Sequence, residues 1–528
     1  MRQAVHIFVK DARHFWPEIL VSLAVTGAFA WIEPYSWRHD SGWEPGRLRM
    51  LRQLAGVVMV LMPVSWWVLI TRLAHAEGLV GDRQWWVTKP YEWTQLLGAK
   101  LLFLGAFVLV PFLVAQCVVM QAAGFYWYEH LPGLAFLLAM VSGFLVGPLL
   151  ALAAVTSGFG KTTLTLLMAL VGFILIGVLS AVVDTGSISS YGDEAGGIAA
   201  FLLILCCCVG AIVLQYGRRM SWMSRLLLAS IFVPLAGAML LGSTPQLIAM
   251  AYPVSRASFH IAMDPNPGRT FSSDAGGGKV GVTLPLVVTG VDGGSIARVD
   301  GIRATLETQG GKRWTSRWEP IYGQLYAPGG VRARLPLQVD RKFFEAVGSQ
   351  PVKVDLTLAV TALKAEEDRV AQMTTGEMAV PGVGICWANG AWRPDTYSPD
   401  GIQCRTAMRE PPLTYVNVRW AEVMCPADSK DEVPGAGIVG QMMGDASNDP
   451  AQFGLTSVWQ SSAWLQNYTV DTEKDGKVVR HTPLLCPGTP IHFTHYLVTG
   501  RMQYEVRLEN FKMPEMQGLE GRTIGLRF

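Results

Sequence analysis

Seven apolar segments stand out along the first half of the chain, at approximately 17–32, 54–70, 101–121, 132–156, 164–183, 198–214 and 226–242. Each approaches the ~20 residues needed to cross a bilayer, with flanking Trp and Tyr extending the shorter ones. They predict a polytopic helical bundle of about seven spans. Ahead of them, residues 1–16 set Val5, Phe8, Ala12 and Phe15 on one helical face and Arg2, His6, Lys10 and Arg13 on the other. That spacing predicts an amphipathic helix lying on the cytoplasmic surface of the membrane. The long polar approach, with Asp11 and Glu18 in it, argues against a signal peptide.

From Ser243 onward the period changes. Val352, Val354, Leu356, Leu358 and Val360 alternate with more polar neighbours, as do Met502, Tyr504, Val506 and Leu508, and similar runs occupy 279–288, 302–307 and 331–339. Alternation of this kind predicts strands that bury one face, hence a β-rich domain, most simply a β-sandwich. Its roughly 285 residues exceed one ordinary domain, and the Gly and Pro of 374–384 mark a place where it divides into two subdomains.

Composition agrees with a membrane protein of more than one domain: 50% of the residues are hydrophobic and only 16% are charged. The distribution of charge says more than the net value of +2. Arg2, Lys10 and Arg13 precede the first span, Arg72 to Lys100 separate the second and third, and Lys161 lies between the fourth and fifth. Arg218, Arg219 and Arg225 lie between the sixth and seventh. These are alternate loops, so one side is cytoplasmic. The loops at 122–131 and 184–197 carry no Lys or Arg and face the other way. After an odd number of spans the β-rich domain is extracytoplasmic. The loop at 33–53 dissents, with Arg38, Arg47, Arg49 and Arg52 on the side counted as outer.

Cysteines fit that division. Cys386, Cys404, Cys425 and Cys486 all lie in the β-rich part, where an oxidising compartment permits two disulfides in any of three connectivities. Consecutive Cys206, Cys207 and Cys208 point about 100° apart on a helix and cannot converge on a metal. His492 and His495 fall on opposite faces of a strand. SGFGKTT at 157–163 lacks the first glycine of a phosphate-binding loop, because Val155 stands there, and no strand precedes it. No nucleophile, metal or dinucleotide motif occurs, so neither an enzyme nor a cofactor is expected, and no nucleic-acid partner.

The stretch Thr71 to Lys100 is the natural place to meet a soluble partner. Pro90 divides it, and Tyr91 to Lys100 reads as a short helix leading into the next span. Together with the basic amphipathic N-terminus, the sequence GDRQWWVTKPYEWTQLLGAKLLF resembles the first cytoplasmic loop of ABC-2 type permeases, with Thr88, Lys89, Pro90, Leu96, Leu97, Gly98 and Lys100 in the corresponding places. The resemblance covers roughly the first 240 residues. It implies a non-catalytic membrane subunit, a homodimer or heterodimer in the lipid bilayer, served by a separate ATPase. The loop at 72–100 would dock that ATPase through Glu77, Asp82, Arg83, Trp85, Trp86, Thr88, Lys89, Pro90, Tyr91, Trp93 and Lys100. The family usually has six spans with both ends inside, so the seventh and the outer domain are additions. The rival expectation is a membrane-anchored sensor or binding protein, for which seven spans are more than an anchor needs.

Overall fold

The structure is a computed structural model that describes residues 2–36, 45–76, 92–183 and 193–233, most of 252–389, and the segments 401–407, 414–420, 441–443, 455–464, 470–474, 477–481 and 490–514. Its first part is helical: α1 (Arg2–His14), α2 (Trp16–Ser36), α3 (Pro45–His75), α4 (Trp93–Leu104), α5 (Val110–Ala122), α6 (Leu131–Val141), α7 (Gly147–Val155), α8 (Phe159–Val183), α9 (Asp193–Val213) and α10 (Ser221–Ser230). π-helical turns at Gly105–Leu109 and Ser142–Val146 join α4 to α5 and α6 to α7. The joined helices form continuous apolar rods, Trp93–Ala122 and Trp127–Val155.

Five helices among the described residues are long and apolar enough to cross a membrane, and α1 with α2, bent by 77°, makes a sixth if that pair counts as one. The seventh expected segment, 226–242, is described only to residue 233, and the rest of it lies outside the described residues. Helix α3 begins earlier than the apolar run suggested, so three of the dissenting arginines, Arg47, Arg49 and Arg52, lie on a helix and not in a loop. The bend between α1 and α2 follows from the sequence. Pro17 sits in the first turn of α2, where its missing N–H is tolerated and its fixed φ starts a new helix.

Sequence periodicity misplaced the buried face of α1 by part of a turn. Its buried stripe is Ile7, Asp11 and Phe15, with Phe8 and Ala12 partly buried against the same core, whereas Val5 is 50% exposed. The reason is Asp11, a carboxylate on the packed side that an apolar pattern cannot anticipate.

The strands in the second part are β1 (His260–Met263), β2 (Ser272–Gly276), β3 (Lys279–Thr289), β4 (Ser295–Thr308), β5 (Arg313–Thr315), β6 (Glu319–Pro320), β7 (Leu325–Tyr326), β8 (Arg332–Asp340) and β9 (Pro351–Gln372). They continue with β10 (Met378–Val380), β11 (Gly384–Asn389), β12 (Gly401–Ala407), β13 (Thr414–Trp420), β14 (Gln441–Met443), β15 (Val458–Trp464), β16 (Val470–Lys474), β17 (Lys477–His481) and β18 (Pro490–Lys512). Strands β3, β4, β8, β9 and β18 coincide with the five alternating runs read from the sequence.

The chain forms two compact units. One holds Met1–Val178, Ile198–Gly237 and Asp368–Thr494, and the other holds Leu179–Gly197, Ala238–Glu367 and His495–Phe528. The chain passes from one to the other within β9, a few residues before the 374–384 stretch. Residues 368–494 therefore group with the helices.

In the second unit, β3 pairs with β8 along one edge and with β1 and β2 along the other, all antiparallel. A second sheet carries β18, β9, β4 and β5 in that order. One core takes Val280, Val282, Leu284, Leu286 and Val288 from β3 together with Val352, Val354, Leu356, Leu358 and Val360 from β9. Each of these side chains contributes on the order of 1.5–3 kcal/mol by leaving water.

On the other face of β9 the alternation fails, since Ala359 and Thr361 are buried too. There the Asp300 carboxylate accepts hydrogen bonds from the Tyr252 hydroxyl at 2.9 Å, from Arg298 Nε at 2.6 Å and from the Thr361 hydroxyl. A bulge between Val299 and Gly301 places Asp300 for this role. Burial, reinforced by the neighbouring Asp300 charge, pushes the Tyr252 phenol well above its ordinary range.

In the first unit, β10, β11, β12 and β15 form an antiparallel sheet. Cys386 and Cys404 face each other across β11 and β12 and form a disulfide. Cys425 and Cys486 lie outside the described residues. The sheet rests on the turn after α5. A side chain at Gly384 would meet the Arg405 carbonyl oxygen at 1.8 Å and the Phe125 ring at 2.9 Å, and the backbone there has φ +138°. Only glycine fits.

Replacing Gly384 by alanine should therefore separate β11 from β12 and impair disulfide formation. Maleimide labelling under non-reducing conditions should find Cys386 and Cys404 unreactive in the parent and reactive in G384A.

Candidate functional site

The described ends of the 72–100 loop emerge from a polar layer at one end of the helices. Within it, Lys100 and Asp11 are both fully buried and form an ion pair, Lys100 Nζ to Asp11 Oδ2 at 2.7 Å. Lys10 lies 3.6 Å from the other oxygen of the same carboxylate. Arg72, in the last turn of α3, pairs with Glu18 near the start of α2. Next to Arg72, His75 Nε2 lies 3.1 Å from the Thr156 carbonyl oxygen and 3.3 Å from its hydroxyl.

Thr156 occupies the short break between α7 and α8, and its hydroxyl meets that of Thr162 at 2.6 Å. Arg225 of α10 donates through Nε and Nη2 to the Val155 carbonyl, at 3.1 and 3.0 Å, and so satisfies the end of α7. Seven helices thus meet through charged and polar groups: α1 with α4, and α2, α3, α7, α8 and α10 in a chain of contacts. A cavity of 490 Å³ opens there, lined by Lys10, His14, Phe15, Arg72, His75 and Phe159, with Asp11 and Ala76 beside them.

Of the residues expected to dock a partner, Glu77, Asp82, Arg83, Trp85, Trp86, Thr88, Lys89, Pro90 and Tyr91 lie outside the described residues. The helix expected over Tyr91–Lys100 is present from Trp93 and runs unbroken into the apolar rod. Trp93 opens it, 40% exposed, with its ring near Gly217. Lys100 is a different kind of residue from the one expected. It sits in the third turn of the helix, sealed from solvent, and anchors the loop's exit to α1.

Sequence reasoning missed a second contact, at the far end of the same rod. Gln116, fully buried in α5, donates from Nε2 to the Leu455 carbonyl at 2.6 Å and accepts from the Ser457 backbone N–H at 2.7 Å. The Ser457 hydroxyl also donates to the backbone carbonyl of Gln116 at 3.4 Å. One amide side chain thus satisfies both a backbone acceptor and a backbone donor of the segment that enters β15. Leu455, Ala407 and Val458 pack on the helical core around it. The signal in the sequence was a glutamine inside an apolar run, a group that must find partners wherever water is absent.

The remaining candidates are dispersed. Cys206 is exposed while Cys207 and Cys208 are buried, and all three are free thiols. His492 Nδ1 pairs with Asp368 at 2.9 Å and His495 Nδ1 with Glu366 at 3.2 Å, from opposite faces of β18. No protein-family model matches the chain, and comparison with curated proteins finds no match.

Two outcomes follow from these geometries. Lys100→Met leaves the Asp11 carboxylate buried beside an apolar side chain and should cost about 3–5 kcal/mol, most of it recovered when Asp11→Leu is added. Thermal unfolding of the single and double variants in detergent measures both. Gln116→Leu should cost about 2 kcal/mol by stranding the Leu455 carbonyl and the Ser457 N–H. Hydrogen exchange of the Ser457 amide should then quicken about thirtyfold while exchange in β3 is unchanged.

Proposed function

We propose that this chain is a membrane-spanning permease subunit of an ATP-driven transporter of the ABC-2 type, acting with a separate ATPase that binds residues 77–93. Membrane residence is supported by α8. Its apolar span is only 6% buried, against 33–44% for the other four, and it exposes Leu164, Leu167, Met168, Leu170, Phe173 and Ile174 over more than half of its circumference. A helix with so wide an exposed apolar face and so little cover suits hydrocarbon and not water. On this reading α1 lies in the cytoplasmic interface, the helices span the inner membrane as a bundle of about seven, and the β-rich part, a sandwich among its sheets, is extracytoplasmic. The Cys386–Cys404 disulfide accords with that compartment.

The observation that carries the transporter reading is the rod Trp93–Ala122. One end leaves the docking loop and is bound through Lys100 to the amphipathic α1, and the other holds residues 455–457 through Gln116. A partner that grips the loop therefore acts on a continuous helix whose far end is joined to the β-rich part. Binding energy biases a two-state equilibrium only by its difference between the states, and such a rod gives that difference a route across the bilayer.

The test is purification of the tagged chain from native membranes in mild detergent. An ATP-hydrolysing subunit should accompany it, and replacing residues 82–93 by a Gly/Ser linker should abolish the association. Lys89→Ala and Trp86→Ala should each lower the co-purified ATPase activity about tenfold, the effect of losing a contact worth about 1.4 kcal/mol. Purification free of any ATPase, under conditions that preserve other transporter complexes, would refute the proposal.

A further inference from the structure

The cavity between α1, α3 and α8 has a composition that the permease reading does not use. Lys10 and His14 stand on one side of it, Arg72 and His75 on the other, and the rings of Phe15 and Phe159 form apolar wall. Asp11, which also lines the cavity, and Glu18 near it are already engaged. Asp11 is held by Lys100 at 2.7 Å, and Glu18 is bonded to Arg72. Counting Lys10, Arg72 and Lys100 against Asp11 and Glu18 leaves one net positive charge before either imidazole takes a proton. Such a crevice favours an anion, and four nitrogen-bearing side chains around 490 Å³ leave room for more than a single small ion.

We propose that this cavity is a binding site for the phosphodiester headgroup of an anionic phospholipid. The assignment rests on the membrane placement argued above. Depth in the bilayer selects the lipid. Helix α1 is bent 77° from α2 and exposes Val5 and Val9, with Trp16 exposed by 59% at the bend, the pattern of a helix lying within the headgroup layer. Phosphodiester is the anion that surrounds such a helix on every side. The walls select it again, because Phe159 is 41% exposed and offers a face to the glycerol and first methylenes of a lipid, which a free phosphate lacks. Bound there, a headgroup would bridge the amphipathic helix to the end of α3, at the base of the docking loop.

The test uses the full-length chain and begins with alkaline carbonate extraction of native membranes. Release of the chain would overturn the membrane placement and this site with it. The retained protein is then reconstituted in nanodiscs containing phosphatidylglycerol and phosphatidylcholine, and lipid carried through detergent transfer is read by native mass spectrometry. The wild-type chain should keep phosphatidylglycerol with about tenfold preference, as expected for two basic groups at the surface. The double variant Lys10→Gln, His14→Gln should lose that preference, and Lys161→Gln, an exposed cation outside the cavity, should keep it. The Asp11–Lys100 and Arg72–Glu18 pairs remain intact in both variants, and an unchanged unfolding temperature in phosphatidylcholine discs verifies the fold. Equal retention by wild type and double variant, with the chain still embedded, would overturn the site alone. Displacement of the lipid by millimolar inorganic phosphate would instead assign the cavity to free phosphate and overturn the lipid assignment.

Discussion

The contact between Asp11 and Lys100 sets the terms for the helical part of this molecule. Both side chains are removed from solvent, so each would carry a large desolvation penalty without the other. The pair therefore cannot separate without exposing one charge to an apolar interior, and it fixes α1 against α4 in a single register. The surrounding contacts depend on that register. With α1 so placed, Phe15 meets Phe103 edge to face and Phe8 stacks on Phe107. The α1–α2 bend then brings Glu18 to Arg72 at the end of α3. Helix packing alone allows rotation by a fraction of a turn, whereas a buried ion pair does not.

From Lys100 the same rod runs about 24 Å to Gln116, sixteen residues on at helical rise. Between them lies the π-helical turn Gly105–Leu109, where one extra residue per turn loosens the hydrogen-bond ladder. The two ends are held by different chemistry. At the Lys100 end the bond is ionic and enclosed. At the Gln116 end it is a pair of neutral hydrogen bonds to a peptide segment, each worth about 0.5–1.5 kcal/mol net. Glycine at 384 and at 124 lets the sheet bearing the disulfide settle closely on the turn beyond α5.

How far this was legible in the sequence depended on which physical signal each feature left. The strands β3, β8, β9 and β18 were legible because one buried face imposes period two, and Val352 to Val360 obey it. The apolar rods were legible because hydrophobic length is a local property. Ala359 and Thr361 broke the rule because a buried carboxylate, Asp300, recruits Tyr252 and Arg298 from distant positions, and no local period records that. Asp11 and Lys100 were read as polar punctuation, one against a signal peptide and the other as loop charge, since pairing over 89 positions leaves no trace in either neighbourhood. Gln116 stands in an apolar run with nothing beside it in the sequence to name a partner. Its partners lie 339 and 341 positions away, and only the fold brings them within 3 Å.

The unequal strength of the two ends has a mechanical consequence on the permease reading. Force applied at the docking loop enters a helix whose near end is locked to α1, so α1 and α4 must move together. Opening the ionic pair costs several kcal/mol, more than a docking contact supplies. The compliant elements are then the π-helical turn and the Gln116 contact. Neutral hydrogen bonds to a backbone segment can be exchanged for water where the segment borders an aqueous space, at a cost comparable to one interface contact. A device built this way moves its anchored end as a block and yields at the end that meets the β-rich part. Strengthening Gln116's hold would make the rod stiffer without making it a better transmitter, because transmission requires two arrangements of similar energy and not one very stable one.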